Sequence, residues 1–147
     1  MRGKKPDEFI REPFLWDEIK NDKGRAKWVT PKYSTDSVIT PAAQQIKDKN
    51  SLFSYYKTFI SFRNNSKALT FGELKPVDIG ISGVSVFQRS YEDENLLVLH
   101  NLSKTDITIN LPENLKEYNK VSFKTKNCDV KNNTVQLVAY STLILRK

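Results

Sequence analysis

The chain has 147 residues, of which 38% are hydrophobic and 11% aromatic, and this is the composition of a globular protein rather than of a disordered one. The formal net charge is +7, but basic and acidic residues alternate, as where Lys20 and Lys23 flank Asp22, so a dedicated nucleic-acid surface is not indicated. With one cysteine, Cys128, and one histidine, His100, the chain cannot form an internal disulfide or a His/Cys metal cluster, and it has few residues from which to build a Cys-His or Ser-His-Asp site. We expect no metal and no cofactor.

Residues 1–50 are predicted to be irregular. Prolines recur there at short intervals, and proline interrupts both helices and strand ladders. The basic start of the chain is followed by no apolar run, so it does not have the pattern of a secretory signal, and no stretch is long enough for a membrane span. The region nevertheless contains the aromatic residues Phe9, Phe14, Trp16, Trp28 and Tyr33. This richness in aromatics favours a loop that packs onto another surface.

Residues 51–64 are predicted to form one amphipathic helix. Apolar residues recur with the period of one helical face, and they are Leu52, Tyr55, Tyr56, Phe59 and Ile60. Asp48 or Asn50 is expected to cap the start of the helix. Phe53 and Phe62 lie off the stripe, which suggests a helix that is contacted from two sides.

From about Ala68 onward the pattern is that of β-strands. Runs of β-branched and aromatic residues are predicted as strands at 70–77, 84–90, 96–101, 105–111, 120–124, 134–138 and 141–146. Residues 96–99 are apolar on both faces and are expected in the middle of a sheet, whereas Ile107 and Ile109 alternate with polar residues. Seven or eight short strands in about 80 residues predict a mainly β fold, an antiparallel Greek-key β-sandwich.

Other polar and aromatic side chains are expected to be structural. The adjacent carboxylates are Asp7-Glu8, Asp17-Glu18 and Glu92-Asp93-Glu94, all in turn-like sequence, where exposed turn charges are far more common than an acid/base pair. His100 lies in an apolar strand and is expected to be a core histidine with a hydrogen-bond partner. The remaining aromatic residues are expected in the core or at a domain interface, and they are Phe71, Phe87, Phe123 and Tyr140.

Five short motifs follow one another in an order that is typical of one enzyme family. Arg11–Trp16 reads Arg-Glu-Pro-Phe-Leu-Trp and resembles the Arg-x-Pro-(Met/Phe)-x-Trp loop after the eighth barrel strand in the α-amylase family of glycoside hydrolases. Gln45–Leu52 is similar to the Gln-x-x-Asp-x-x-Ser-Leu stretch that leads into the last barrel helix of that family. Three further motifs resemble parts of its C-terminal sandwich, and they are Ala68–Gly72, Leu97–Ser103 and Ser141–Leu145.

The resemblance covers nearly the whole chain and implies two parts. Residues 1–66 would be a loop and the last helix of a truncated (β/α)₈ barrel, and residues 67–147 would be the C-terminal β-sandwich. The catalytic carboxylates of this family lie at the ends of barrel strands, which would precede this chain. The resemblance therefore assigns no catalytic residue to this chain. The resemblance therefore implies a non-catalytic, barrel-stabilising part of a hydrolase that acts on starch or maltooligosaccharides.

Contacts with an α-glucan are expected, if anywhere, in the aromatic loop. In the family this loop borders the active-site cleft, so Arg11, Phe14 and Trp16 are the candidate substrate-binding residues. Sugar rings stack on aromatic faces, but packing of Phe14 and Trp16 against the barrel wall is an open alternative. Without the barrel, the chain would expose an apolar face, and we expect either that a second copy of the chain covers it or that the residues before about Asn50 are disordered.

Two other classes of protein compete with this interpretation. A free-standing α-glucan-binding β-sandwich would present two or three exposed Trp or Tyr residues on its strands, whereas both tryptophans here lie in the irregular region. A basic protein that binds RNA or a membrane surface would need clustered Lys and Arg residues with interleaved aromatics, and the sequence lacks such a cluster.

Overall fold

The computed structural model describes residues 11–147. The predictions for residues 1–10, including the Asp7-Glu8 pair and Phe9, lie outside this range. The described residues divide into two compact units, a first that ends at Ile60 and a second that comprises Ser61–Lys147. Within the described range, no helix is long and apolar enough to cross a membrane.

The described part of the first unit is mostly irregular, as predicted, and contains the short helix α1 (Ala42–Lys47). Helix α2 (Leu52–Asn64) begins in this unit and confirms the predicted helix. Its cap differs from the prediction: the Ser51 hydroxyl, rather than Asp48 or Asn50, accepts the backbone N–H of Ser54 at 3.1 Å. No residue of α2 is buried, so its apolar stripe faces solvent.

The second unit contains a short helix, α3 (Lys67–Phe71), and eight strands. The strands are β1 (Glu73–Val77), β2 (Val84–Tyr91), β3 (Glu94–Asn101), β4 (Ile107–Asn110), β5 (Lys120–Lys124), β6 (Asp129–Lys131), β7 (Thr134–Leu137) and β8 (Ser141–Arg146). A 3₁₀ turn, Glu113–Leu115, connects β4 to β5.

Residues 70–71, predicted as the start of a strand, are helical instead. The Ser66 hydroxyl caps α3 by accepting the N–H of Leu69 at 3.1 Å. The carboxylate of Glu94 accepts the Ser66 hydroxyl and the N–H of Ala68, both at 2.7 Å. An acidic group at a helix start favours the helix, and here it comes from 26 residues further along the chain. Local sequence therefore does not reveal this helix.

The strands form two antiparallel sheets. The five-stranded sheet has the order β1-β2-β3-β8-β5, and the three-stranded sheet has the order β4-β7-β6. The chain passes between the sheets after β3, β4, β5 and β7, so that β3 pairs with β8 rather than with β4. This arrangement confirms the predicted antiparallel sandwich.

Strand β3 is buried on both faces, as expected from its sequence. Leu97 and Leu99 face the three-stranded sheet and share the main core with Leu143, Leu145 and Ile109. The other face of the strand belongs to a smaller core, which comprises Ala68, Leu96, Val98 and Ile144, with Phe62, Phe87 and Phe123 packed against it. The five-stranded sheet is therefore a central layer with an apolar cluster on each side.

Asn101 connects the ends of strands from the two sheets. Its side chain is buried, and Nδ2 donates to the carbonyls of Thr105 at 2.8 Å, Leu137 at 3.2 Å and Val138 at 3.1 Å. Its Oδ1 accepts the N–H of Ser103 at 2.9 Å and the Ser103 hydroxyl at 2.7 Å. Asn101 is the asparagine of the Leu97–Ser103 motif, so the motif has a structural purpose here.

His100 and the sandwich aromatics only partly follow expectation. The His100 Nδ1 lies 2.8 Å from the Thr142 hydroxyl, and burial lowers the pKa of this histidine below its ordinary value. Phe87 and Phe123 are half-buried against the smaller core. Phe71 and Tyr140 are instead 72% and 63% exposed, because α3 and the turn before β8 direct them away from both cores.

Candidate functional site

The segment Arg11–Trp16 presents two aromatic rings to solvent. Its burial alternates, since Pro13 and Leu15 are buried while Phe14 is 57% and Trp16 60% exposed. The two exposed rings contact each other edge to face, with centroids 4.6 Å apart. Leu15 is therefore the anchor of the segment, and Phe14 with Trp16 forms an exposed aromatic pair. Arg11 is exposed at the start of the segment.

The carboxylate of Glu12 holds this segment against a neighbouring loop. It accepts three consecutive backbone N–H groups, from Lys32 at 2.9 Å, Tyr33 at 2.9 Å and Ser34 at 2.6 Å. Burial raises the pKa of Glu12, but the bonds from Ser34, Lys32 and Tyr33 and the charge of Arg25 outweigh this effect. The net pKa of Glu12 therefore lies below its ordinary value of 4.5.

Arg25 also joins these two loops. Its guanidinium donates to the carbonyl of Pro13 at 3.1 Å and to the carbonyl of Ser34. The Ser34 hydroxyl donates to the same Pro13 carbonyl at 2.7 Å. The backbone immediately before Phe14 is thus fixed by charged hydrogen bonds.

The backbone of Trp16 is fixed as well. Its N–H donates to the Asp22 carboxylate at 2.9 Å, and its carbonyl accepts the N–H of Ala43 at 2.8 Å. The carbonyl of Leu15 accepts the N–H of Ala42 at 3.1 Å, so the start of α1 is bonded to the aromatic segment. The aromatic pair therefore lies on a loop whose conformation is held at several points, which lowers the entropy cost of a contact.

The residues that hold the site were not all identified from sequence. Glu12 occupies the variable position of the Arg-x-Pro motif, and Arg25 lies in an unremarkable polar stretch. Both side chains bond to the backbone of Ser34, which lies 9 residues from Arg25 and 22 residues from Glu12, and no local sequence pattern predicts these bonds. Trp28 and Tyr33, the weaker aromatic candidates, are 58% and 55% exposed, and Lys32 Nζ lies 5.1 Å from the Tyr33 ring centroid.

The adjacent carboxylates serve as acceptors for nearby groups. Asp17 accepts the N–H of Glu18 at 2.8 Å, and Glu18 pairs with Lys20 at 3.0 Å. Glu92 pairs with Lys67 at 3.3 Å, and Glu94 holds the start of α3. These partners make the side chains parts of turns and caps rather than an acid and a base that face a substrate. Within residues 11–147, no group of three or more His, Cys, Asp or Glu side chains is arranged to hold a metal ion.

Comparison with known proteins agrees with the two-sheet fold. Residues 84–144 match the family "Alpha-amylase SusG C-terminal domain". Alpha-amylase 3 of Dictyoglomus thermophilum is 31% identical over 99% of this chain, and the Oligo-1,6-glucosidase of Bacillus cereus is 30% identical over 86% of it. Alpha-amylase SusG of Bacteroides thetaiotaomicron is 25% identical over 95%.

Solved structures support the fold. The trehalulose synthase MutB from Pseudomonas mesoacidophila MX-45 superposes on 92% of this chain with a TM-score of 0.75 at 23% identity. The chain spans 25% of that synthase, 29% of the Dictyoglomus amylase and 22% of the Bacillus glucosidase. The match thus covers nearly all of this chain but only a part of each larger protein. Over nearly its whole length this chain is therefore similar to a part of α-amylase-family enzymes, and its residues 84–144 match the C-terminal domain of the SusG α-amylase type.

Proposed function

We propose that the chain serves as the non-catalytic C-terminal part of a glycoside hydrolase that acts on starch or maltooligosaccharides. The observation that carries this proposal is the 31% identity to an α-amylase over 99% of the chain, together with the match of residues 84–144 to an α-amylase C-terminal domain. The partners of Glu12, Glu18 and Glu94 agree with it, since they are backbone N–H groups, neutral side-chain donors and Lys20.

The role of the chain in the parent enzyme is to stabilise the catalytic barrel. Residues 1–66 contribute the last loop and helix of the barrel, and residues 67–147 form the sandwich domain. The exposure of α2 supports this division, because Leu52, Tyr56 and Ile60 are 67%, 59% and 54% exposed along the apolar stripe. An amphipathic helix gains stability mainly by covering such a stripe, and the barrel wall is the surface that covers it.

The aromatic pair contacts the α-glucan substrate at the margin of the parent's active site, and Arg11 donates hydrogen bonds to sugar hydroxyls. Support comes from the exposure of Phe14 and Trp16 on a loop that Glu12 and Arg25 hold in place. Exposed aromatic faces next to polar groups are suited to sugar rings, which have apolar faces and hydroxyl edges.

Tryptophan fluorescence tests the glucan contact. Maltoheptaose titrated into the full chain is expected to change the emission, and Trp16→Ala is expected to abolish the change. Trp28→Ala is the matched control, because Trp28 is exposed to nearly the same degree and also lies in the first unit. A response that survives in Trp16→Ala contradicts the assignment. Binding by the chain alone, with affinity typical of a dedicated module, would favour the free-standing α-glucan-binding module instead.

A second copy of the chain covers the apolar stripe of α2 when no barrel is present. Large exposed apolar surfaces on soluble proteins usually find a partner. Sedimentation equilibrium is expected to show concentration-dependent dimers, and Tyr56→Lys is expected to shift them to monomers. Lys57→Glu, on the adjacent exposed position of α2, is the control that changes charge without removing apolar area. A monomer at all concentrations contradicts self-association but leaves the barrel contact in place.

A further inference from the structure

A polar cleft lies in the second unit, and none of its lining residues belongs to the aromatic loop. Its volume is about 540 Å³, which is within the range of small-molecule sites, roughly 300–1,000 Å³. The walls come from four places in the sandwich unit: the end of α2, the turn between β2 and β3, the edge strand β5 and the end of β8. Four separate parts of the chain therefore converge on it.

The floor of the cleft is apolar and well supported. Leu96 is 2% exposed and belongs to the smaller core. Phe62 is half-buried beside it, and its ring centroid lies 4.7 Å from that of Phe123. Val121 on β5 is 38% exposed and completes the apolar surface. A floor of this kind suits the apolar face of a sugar ring.

The rim of the cleft offers both donors and acceptors. The guanidinium of Arg146 can donate hydrogen bonds, and the carboxylate of Asp93 can accept them. The amide of Asn95 donates one proton to the carbonyl of Asp93 at 3.3 Å and has a second proton to donate. Ser122 on β5 can do both. Within residues 11–147, the side chains of Asp93 and Arg146 have no hydrogen-bond or ion-pair partner. These groups are therefore available to a ligand.

The charge of the rim is balanced. Both oxygens of Glu94 are occupied, one by the Ser66 hydroxyl and one by the N–H of Ala68. Lys147 pairs with Glu117 at 2.8 Å. The lining thus carries two carboxylates, Asp93 and Glu94, and two cations, Arg146 and Lys147, so its formal charges cancel. Such a rim favours neither a phosphate nor a metal ion, but it matches a neutral ligand whose hydroxyl groups both donate and accept.

We propose that this cleft is a second sugar-binding site, which takes one end of a short α-glucan such as maltotriose. The ring of the terminal sugar lies on Phe62 and Val121, while its hydroxyls bond to Asp93, Asn95 and Arg146. The choice of α-glucan rests on the function proposed above, whereas the neutral, polyhydroxylated character of the ligand follows from the cleft itself. The site binds a chain end and catalyses no reaction.

Two readings of one titration separate this site from the aromatic loop. Neither tryptophan lines the cleft, so tryptophan fluorescence does not report on it directly. Amide NMR does, through the signals of Asn95 and Ser122. When maltotriose is titrated into the full chain, we expect these signals to shift in a saturable manner. Arg146→Ala is expected to weaken this response about tenfold, in line with the loss of a charged hydrogen bond.

Two further variants complete the experiment. Asn95→Ala tests the opposite side of the rim if Arg146→Ala disturbs β8, and Lys131→Ala is the control for loss of one exposed positive charge elsewhere on the sandwich. Saturable shifts that weaken in Arg146→Ala or Asn95→Ala but not in Lys131→Ala support the site. Absence of shifts at Asn95 and Ser122, or shifts that neither rim variant weakens, overturns it. A lost fluorescence response with intact cleft shifts would overturn the loop contact alone.

Discussion

Replacing Asn101 by alanine tests whether one buried amide joins the two sheets. The amide has two protons, which it shares among three backbone carbonyls, and its oxygen accepts two hydrogen bonds from Ser103. Four hydrogen bonds at about 1 kcal/mol each give a loss of about 4 kcal/mol. Because the carbonyl of Leu137 is left in a buried position, the expected loss in the free energy of unfolding lies between about 3 and 5 kcal/mol.

Urea unfolding followed by far-ultraviolet circular dichroism measures this loss, because the β signal comes from the sandwich. Asn114→Ala is the control, since Asn114 is exposed in the 3₁₀ turn, and we expect it to change stability by less than about 0.5 kcal/mol. Asn101→Asp keeps the acceptor but places a carboxylate against three carbonyls, so it is expected to be at least as destabilising at neutral pH. A loss below about 1 kcal/mol in Asn101→Ala would refute the reasoning.

Three further predictions concern other sites. Gly72→Ala is expected to lower the free energy of unfolding by about 1–3 kcal/mol, because a Cβ there would meet the carbonyl oxygens of Ala68 and, at 2.7 Å, Ser90. Gly24→Ala is the control, because a Cβ at Gly24 meets no atom within 4 Å and should leave stability unchanged. Equal effects of the two substitutions in the same urea experiment would contradict this prediction. Because the pKa of Glu12 is lowered in the folded loop, its carboxylate stabilises the loop above pH 4.5, and this stabilisation is lost as the pH falls through the lower pKa of the folded state. Tryptophan emission should show this acid transition, and Glu12→Gln should lack it. Burial lowers the pKa of His100, so the free energy of unfolding should fall as the pH drops below 6.5. In His100→Gln the free energy of unfolding should not change with pH in this range. The same pH dependence in the variant would exclude His100 as the cause.

Much of the sandwich could be predicted because most of its strands have a recognisable local sequence pattern. β5 and β8 were predicted with the bounds that the structure has, since each is a short run of β-branched, aromatic and apolar residues between turns. Strand β6, only three residues long, was missed because Asp129–Lys131 offers a single apolar residue. It exists because Val130 pairs with Val135 of β7, which is a tertiary reason.

The candidate site was predictable only in part. The aromatic rings of Phe14 and Trp16 stand out in an irregular stretch, so the segment could be chosen from sequence. The groups that hold it could not, because each is a charged side chain bonded to backbone atoms distant in the chain, such as Glu12 to Ser34. Such bonds depend on the path of the loops and not on the identity of the residue that contributes its backbone group. The cleft around Arg146 was missed for the same reason, since four parts of the chain contribute to it.

The release of reducing ends from starch by the purified full chain tests the central claim most directly, namely that this chain is a non-catalytic part of a glucan-acting enzyme. The account predicts no release above the buffer blank, under conditions in which maltoheptaose changes the emission of Trp16. Turnover that copurifies with the chain, and that a single carboxylate substitution within it abolishes, would contradict the account.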